Sequence, residues 1–374
     1  MKKKWIWQDA CYPDFKYDSY DFISEISKIS YDIGLCEGVL NFIDDVSELD
    51  ITTKSITDDI VSNSLIEGEL LQRESIRSSV RKKIDPHWMM DHDNSTQKSD
   101  ILVDLFIDIM TNKKEMTKQR LSKYNKILVD KNNFFDVHPG KFRDYDDMQI
   151  VSGAFGKEKV HYQAPAAKDI EKDLNKLLYF INNSKEHPFI KSAVSHFWFV
   201  TIHPFGDGNG RLGRLIADFI LSKEIGNIYR FFSISSQINK DKKRYYELLE
   251  KHQNIATNPQ LKLNDWIYWH LGILEKAINE TMLVLKKINQ KIIFWQNIKD
   301  IELNSRQKKV ITKLLDFGID NFKGGLSTKK YVSMTKVSEA TAKRDISALL
   351  KMGILVKEEG SNGRNTRYQL SHNN

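Results

Sequence analysis

The amino-acid sequence predicts a mainly helical protein with two short β-hairpins. Apolar residues recur at spacings of three and four through most of the chain, a pattern typical of helices that bury one face. Short β-prone runs beside glycine stand out at residues 148–162 and 354–370. With 374 residues, of which 40% are hydrophobic, the chain is long enough for two or three domains with substantial cores.

The helical pattern is interrupted at points that divide the chain into three parts. We expect an amino-terminal helical segment at residues 1–98, a core at 99–299 and a separate domain at 300–374. The polar stretch at 85–97, which contains Pro86, is predicted to be a loop. The predicted helices span residues 21–49, 55–84, 99–131, 167–183, 188–202, 240–252, 264–299, 305–316, 327–335 and 338–352, and one more begins near Leu215.

The carboxyl-terminal domain has the element order of a winged helix-turn-helix, three helices followed by a hairpin. Residues 301–374 hold 14 Lys or Arg and 7 Asp or Glu, an excess that equals the net charge of +7 of the whole chain. Concentrated positive charge favours contact with phosphates. We therefore consider DNA as a partner, with a protein partner as the alternative. The residues expected to contact DNA are Lys343, Arg344, Arg364 and Arg367.

Composition also bears on the compartment. The chain has only two cysteines, Cys11 and Cys36, which argues against a disulfide scaffold. No stretch reaches about eighteen apolar residues, and the basic start of the chain is not followed by an apolar signal segment. We expect a cytoplasmic protein that does not interact with membranes.

The most distinctive stretch is residues 203–214, His-Pro-Phe-Gly-Asp-Gly-Asn-Gly-Arg-Leu-Gly-Arg. Gly206, Gly208 and Gly210 alternate, so successive backbone N–H groups can converge on one point without a steric penalty. A helix that starts directly behind them adds its own unpaired donors. The spacing therefore indicates an anion site.

The side chains of this stretch add chemistry. Arg211 and Arg214 lie in the first helical turn, where the helix dipole disfavours positive charge, and a bound phosphate chain would offset both. His203, which Pro204 keeps out of helical geometry, can accept a proton from a hydroxyl that attacks phosphorus. Asp207 can hold Mg²⁺, which takes one or two carboxylates plus substrate oxygens.

Other interpretations fit this stretch less well. Gly208, Gly210 and Gly213 match the dinucleotide pattern G-x-G-x-x-G, but the acid expected about twenty residues on is missing after Tyr229. A plain glycine-rich turn would not need a histidine, an aspartate, an asparagine and two arginines around one point. A phosphate loop of the Gly-Lys-Ser/Thr type is excluded because the lysine is absent.

The stretch resembles the signature of Fic-domain proteins, H-x-F-x-[D/E]-G-N-G-R-x-x-R, at every specified position. The resemblance implies a helical Fic core that transfers AMP from ATP to a Ser, Thr or Tyr hydroxyl of a protein and releases pyrophosphate. It implies that His203 is the general base, Asp207 the Mg²⁺ ligand, and Asn209 with the glycines a stabiliser of transition-state charge. The ATP-binding residues that it implies are Gly206, Asp207, Gly208, Asn209, Gly210, Arg211, Arg214 and Tyr246.

A second resemblance lies within the predicted helix at 55–84. Asn63-Ser64-Leu65-Ile66-Glu67-Gly68 is similar to the inhibitory-helix motif of Fic proteins, [S/T]-x-x-x-E-[G/N], with Asn63 at the usual Ser or Thr position. The resemblance implies that Glu67 pairs with Arg214 and occludes the γ-phosphate position, a charge-assisted competition. We expect an autoinhibited enzyme.

The hairpin at 148–162 resembles the flap of Fic proteins, which aligns a target segment by strand addition. The helix at 240–252 is expected to enclose the adenine base through Tyr246. The partners considered are ATP with Mg²⁺, a protein with hydroxyl side chains, this chain itself included, DNA, and a second copy of the chain in a homodimer.

Two further functions stay open at this stage. One is a DNA-binding regulator with a nucleotide-sensing site. The other is a hydrolase that removes AMP from modified proteins with a water oriented by Glu67. Transfer of another nucleotide is also open, because the loop recognises phosphates rather than the base.

Overall fold

Helices account for most of the structure, as the apolar spacing predicts, and the strands form two-stranded antiparallel sheets. This computed structural model describes residues 4–89, 93–129, 138–153, 157–317, 325–358, 360–361 and 366–371. The chain divides into two compact units. The main unit comprises residues 1–38 and 45–281, and the carboxyl-terminal unit comprises residues 39–44 and 282–374.

The helices and strands follow one another in a simple order. The first five helices are α1 (Ile23–Leu40), α2 (Asp45–Ile66), α3 (Arg73–Ile84), α4 (Gln97–Thr111) and α5 (Lys118–Leu128). The hairpin strands β1 (Gln149–Ser152) and β2 (Lys159–Gln163) come next. Then follow α6 (Ile170–Asn183), α7 (Pro188–Ile202), α8 (Asn209–Ile225), α9 (Ile234–Lys240), α10 (Lys242–Gln253) and α11 (Asn264–Asn297).

The core of the main unit is built around α7 and α8. Every residue of α7 from Phe189 to Ile202 is buried, the pattern of a helix with neighbours on all sides. Helix α8 packs so closely that a Cβ on Gly213 would lie 2.8 Å from a Val200 methyl group. Side chains of α2 to α6 complete the same hydrophobic cluster. The turn that joins α7 to α8 is therefore held between two fixed helices.

The predicted helix at 55–84 is two helices separated by a connector at residues 67–72. Helix α2 ends at Ile66, and Gly68 takes a left-handed conformation with φ of 85°. The Glu69 N–H then donates to the Ser64 carbonyl over 3.0 Å, the closure typical of a helix that ends at glycine. The predicted helices at 21–49 and 99–131 are likewise interrupted, at 41–44 and 112–117.

The predicted hairpin at 148–162 is confirmed. Strands β1 and β2 are antiparallel, and Gln149 lies opposite Gln163 while Ser152 lies opposite Lys159. The register shifts between Ile150 and Val151, so the hairpin carries a bulge.

The carboxyl-terminal unit has the element order expected from the sequence. Helices α12 (Ser305–Phe317), α13 (Thr328–Thr335) and α14 (Glu339–Lys351) precede the antiparallel strands β3 (Leu355–Lys357) and β4 (Tyr368–Leu370). A separate hydrophobic cluster holds these elements together.

Charged side chains of this unit pair with one another. On α14, the buried Asp345 accepts hydrogen bonds from Arg306 Nε at 2.8 Å and from the Tyr331 hydroxyl at 2.9 Å. Lys343 pairs with Glu339 over 3.0 Å. Arg364, which we expect on the wing, lies outside the described residues. Contact with DNA therefore stays a prediction.

Two simple sequence expectations concern cysteines and membranes. Cys11 is exposed, Cys36 is buried, and both are free thiols. Among the helices of the described ranges, none combines the length and apolar character needed to cross a membrane.

Candidate active site

The turn between α7 and α8 begins with a strained residue. Helix α7 stops at Ile202, as expected before Pro204, but His203 adopts the left-handed region with φ of 51° and ψ of 58° rather than an extended conformation. A positive φ is uncommon for a residue with a side chain, and such strain often marks a functional site.

The loop that follows is closed by a side chain from the start of α8. Asn209 is buried; its amide Nδ2 donates to the Phe205 carbonyl at 2.8 Å and its Oδ1 accepts from the Phe205 N–H at 3.0 Å. Gly208, the N-cap residue before α8, has φ of 81°, and a Cβ there would lie 2.8 Å from a Val129 methyl group. The buried side chain of Asn209 therefore fixes the loop conformation through both backbone polar groups of Phe205.

Only part of the loop is accessible. His203, Gly206, Asp207 and Gly210 are half-buried, whereas Gly208 and its neighbour Asn209 are buried. The sequence brings all of these residues into one turn. The fold decides which of them a ligand can touch.

His203 is held in a form that can accept a proton. Its Nδ1 lies 3.2 Å from the Val200 carbonyl oxygen, so Nδ1–H donates there and Nε2 carries the lone pair. Burial lowers the pKa of His203 from 6.5 to about 4, although Glu67 and Asp207 act in the opposite direction. The imidazole is therefore neutral at pH 7.

One cleft brings together residues that are far apart in the sequence. Its volume is about 590 Å³, within the range of small-molecule sites, and its lining includes the β1–β2 hairpin, α10, His203, Gly210 and Glu67. The hairpin is tied to α10 because His161 Nδ1 lies 2.8 Å from a Glu250 carboxylate oxygen. The β1–β2 hairpin, His203 and Glu67 thus line the same space.

Arg214 is fully buried, and the hydrogen-bond and ion-pair partners described for its side chain lie at the end of α2, while its guanidinium carbon lies 5.9 Å from the centre of the Tyr245 ring. Its Nη1 lies 2.9 Å from Glu67 Oε1. Its Nε donates to Asn63 Oδ1 at 2.6 Å and its Nη2 donates to the Asn63 carbonyl at 2.9 Å. Burial by itself would raise the pKa of Glu67, but the charge of Arg214 outweighs it and holds that pKa below its usual value. Asn63, which stands where the motif usually has Ser or Thr, therefore accepts hydrogen bonds directly from the Arg214 guanidinium.

Arg211 is also buried, but its partners come from three places. Its Nη1 lies 2.9 Å from Glu69 Oε2 and donates to the Leu128 carbonyl at 2.6 Å, while its Nη2 lies 3.2 Å from Asp207 Oδ2. The connector after α2, the end of α5 and the loop therefore all hold this guanidinium.

The start of α10 fixes the end of α2. The Tyr246 hydroxyl lies 3.1 Å from the Ile66 carbonyl oxygen and 3.3 Å from Glu67 Oε2. Lys242 Nζ reaches the Leu65 carbonyl at 3.4 Å. Because the last carbonyls of a helix need donors, these contacts dock the helix end. Tyr246, predicted from its position to enclose a base, lies in the cleft and contacts Glu67.

The position of the Glu67 carboxylate requires a residue without a side chain at position 210. A Cβ on Gly210 would overlap a Glu67 carboxylate oxygen. A glycine at this point of the motif therefore leaves room either for that carboxylate or for another anion.

Asp207 offers one carboxylate to the Mg²⁺ ion expected from the sequence, and that ion stays a prediction. The Asp207 side chain is 39% exposed at the loop surface. In the described part of the chain, no group of three or more His, Cys, Asp or Glu side chains is arranged to hold a metal without other ligands. Mg²⁺ commonly takes one or two carboxylates together with phosphate oxygens.

Three buried or half-buried contacts were not expected from the sequence. Arg143 Nε donates to the His203 carbonyl at 2.9 Å, and Asn125 Nδ2 donates to the Asp207 carbonyl at 2.8 Å. Glu69 is the carboxylate on Arg211. Glu69 lies two residues after Glu67, and this closeness to the motif could have indicated it. No local sequence pattern indicates Arg143 or Asn125.

Comparisons with known proteins cover the same part of the chain. Residues 115–221 match the Fic/DOC family, and residues 5–85 match a domain of unknown function, DUF4172. The chain is 37% identical over 103 residues to "Protein adenylyltransferase Fic" of Nematostella vectensis, and 30% identical over 111 residues to the protein of that name from Aedes aegypti. Each match covers 26% of this chain and only 22% of the relative.

Solved structures show a similar fold. A Fic family protein from Desulfovibrio desulfuricans has a TM-score of 0.51 at 19% identity, covering 93% of this chain and 96% of that one. A Fic domain containing signaling protein from Bacteroides thetaiotaomicron has a TM-score of 0.51 at 16% identity, covering 70% and 97%. At these identities the two structures show the mainly helical fold alone, and the match to the Fic/DOC family covers residues 115–221.

Proposed function

We propose that this chain is a protein adenylyltransferase that transfers AMP from ATP to a Ser, Thr or Tyr hydroxyl, and that Glu67 restrains it. The observation that carries the proposal is the cleft lined by His203, by Gly210 of the glycine motif and by the β1–β2 hairpin. The curated relatives named protein adenylyltransferase lend it further support over the part of the chain that they match.

His203 is the general base in this proposal. Its Nε2 accepts the proton of the target hydroxyl while the hydroxyl oxygen attacks the α-phosphorus. The bond between the α-phosphorus and the bridging oxygen breaks, and pyrophosphate leaves. A pKa of about 4 keeps the base unprotonated at neutral pH.

The loop and the arginines bind the phosphates. Backbone N–H groups at Gly206 and Gly210 and the start of α8 offer donors where negative charge develops. Arg214 holds the terminal phosphate once Glu67 has left it. Asp207 would hold Mg²⁺, which neutralises phosphate charge when bound.

Glu67 is the regulatory residue of the proposal. Its carboxylate pairs with the Arg214 guanidinium, which a triphosphate would need. Gly210 has no side chain that would block this carboxylate. Because the two anions compete for one cation, removal of the carboxylate should increase nucleotide transfer.

The proposal is tested by self-labelling with ATP that carries a labelled α-phosphate. We expect Glu67→Gly to label itself faster than the parent chain. Adding His203→Ala to Glu67→Gly should abolish labelling while the double variant still binds ATP, because the histidine acts on the hydroxyl and not on the phosphates. Equal labelling with and without His203 would refute the assignment.

A second candidate is the removal of AMP from modified proteins. The observation that favours it is the position of the Glu67 carboxylate, which lies in the cleft and is oriented by the Tyr246 hydroxyl. A carboxylate held there could orient a water for attack on the phosphorus. An assay on an AMP-modified protein distinguishes the two activities, since Glu67→Gly should then lose AMP removal.

The carboxyl-terminal unit supports a further candidate, contact with DNA. Three helices followed by a two-stranded sheet lie in a segment that carries the net charge of the chain. A gel shift of the full chain at low and high salt tests it, because phosphate contacts weaken as salt rises. Absence of a shift at low salt would rule it out.

A further inference from the structure

Arg143 makes an unusual set of contacts beside the proposed base. The residue is buried, and its side-chain hydrogen bonds go to backbone carbonyls rather than to carboxylates. Nε donates to the His203 carbonyl at 2.9 Å, Nη1 donates to the Tyr145 carbonyl at 2.8 Å, and Nη2 donates to the Pro165 carbonyl.

The backbone of the same residue holds the next peptide of the loop. The Arg143 N–H donates to the Pro204 carbonyl at 2.9 Å, while the His203 N–H donates back to the Phe199 carbonyl of α7 at 3.0 Å. The peptide groups on both sides of His203 are thus fixed. The left-handed conformation is unfavourable for histidine and persists only where its surroundings determine it.

We infer that Arg143 is a positioning residue for His203: its guanidinium fork holds the His203 carbonyl and so keeps the imidazole directed into the cleft. The inference rests on the proposed transfer function, in which His203 is the base. The Tyr145 and Pro165 carbonyls lie on either side of the β1–β2 hairpin in the chain, so the same fork also connects the base to the flap.

The charge of Arg143 has a second consequence. Burial is the main cause of the low pKa of His203, and the nearby guanidinium lowers that pKa further. The hydrogen bond to the Val200 carbonyl raises the pKa of His203, and so do the negative charges of Glu67 and Asp207. Removing the Arg143 charge should therefore raise the pKa of His203.

Two substitutions separate position from charge. Arg143→Lys keeps the positive charge but loses the planar fork, and Arg143→Gln loses both. Both are made in the Glu67→Gly chain and compared with Arg120→Gln, which removes another arginine that donates to backbone carbonyls, those of Lys114 and Glu115. Self-labelling rate at saturating ATP, the ATP concentration for half-maximal rate, and thermal unfolding are measured.

We expect both Arg143 variants to lose about 100-fold in labelling rate, the size of effect that a misplacement of about 1 Å causes, with the half-maximal ATP concentration unchanged. Arg120→Gln should label like its parent. Only Arg143→Gln should move the acid limb of the pH–rate profile upwards, because a higher pKa protonates the base at higher pH. Lysine should leave that limb in place.

An NMR titration of the His203 ring tests the effect of Arg143 on the pKa of His203 without an activity assay. The resonance is assigned by its loss in His203→Ala, and we expect a higher pKa in Arg143→Gln than in the parent. Equal titration, labelling within about threefold of the parent, or a loss that follows unfolding or ATP affinity would overturn the inference. If Glu67→Gly itself fails to label, the proposed transfer fails while the titration still tests Arg143.

Discussion

The two arginines of the motif helix are both buried, but they are held in different ways. The hydrogen-bond and ion-pair partners described for the Arg214 side chain, Asn63 and Glu67, lie on a single segment at the end of α2. Arg211 is shared among the connector, the end of α5 and the loop. If the end of α2 moves away, Arg214 loses all of these partners, whereas Arg211 keeps two of its three.

The difference indicates separate roles for two residues that look equivalent in the sequence. A buried charge that loses its partners is strongly destabilised, so an undocked α2 leaves Arg214 in need of another anion. The Leu128 carbonyl lies on α5, so we expect Arg211 to keep this partner if the end of α2 moves. We therefore propose that Arg214 is the arginine that responds to such a movement and that Arg211 holds the loop.

The largest effect is expected from Glu67→Gln. Hydrogen bonds to charged groups are worth about 1.5–3 kcal/mol, and about 1.4 kcal/mol corresponds to tenfold, so self-labelling should rise about 10- to 100-fold. The control is Glu74→Gln on α3, whose carboxylate is 68% exposed and pairs with Arg77. A response of Glu67→Gln no larger than that of the control would contradict the role of the Arg214 pair.

A smaller effect is expected from Asn63→Ala. The substitution removes the Oδ1 acceptor of Arg214 but leaves both the Asn63 backbone carbonyl and Glu67 in place, so unfolding should become easier by about 1–3 kcal/mol. Labelling should rise less than with Glu67→Gln. Urea unfolding measures the change in the free energy of unfolding. Asn63→Asp, which keeps an acceptor oxygen at this position, is the control. Unchanged stability would show that the side chain does not hold the guanidinium.

The smallest effect is expected from Glu69→Gln. This side chain is 29% exposed and Arg211 keeps its other two partners, so labelling should change by no more than about threefold. The same self-labelling assay measures it beside Glu67→Gln. If Glu69→Gln and Glu67→Gln changed the self-labelling rate equally, the proposed difference between the Arg211 and Arg214 sites would be wrong.

Local sequence patterns were sufficient for much of the fold. Helix α7 spans Pro188–Ile202, as the apolar spacing predicts, and the hairpin lies where β-prone residues flank glycine. The apolar period continues on both sides of Ile66, so it does not predict the break there. Gly68 is part of the motif, and a glycine in that place also ends a helix.

The sequence by itself determined which chemical groups this protein can use, since His203, Asp207, the glycines and both arginines lie in one stretch of twelve positions. Only the tertiary structure decided what surrounds them. Arg143 lies 60 residues before His203, and Glu69 lies 142 residues before Arg211. Contacts over such separations leave no periodic trace in the sequence, because they depend on how buried helices pack and on which polar groups then need a partner.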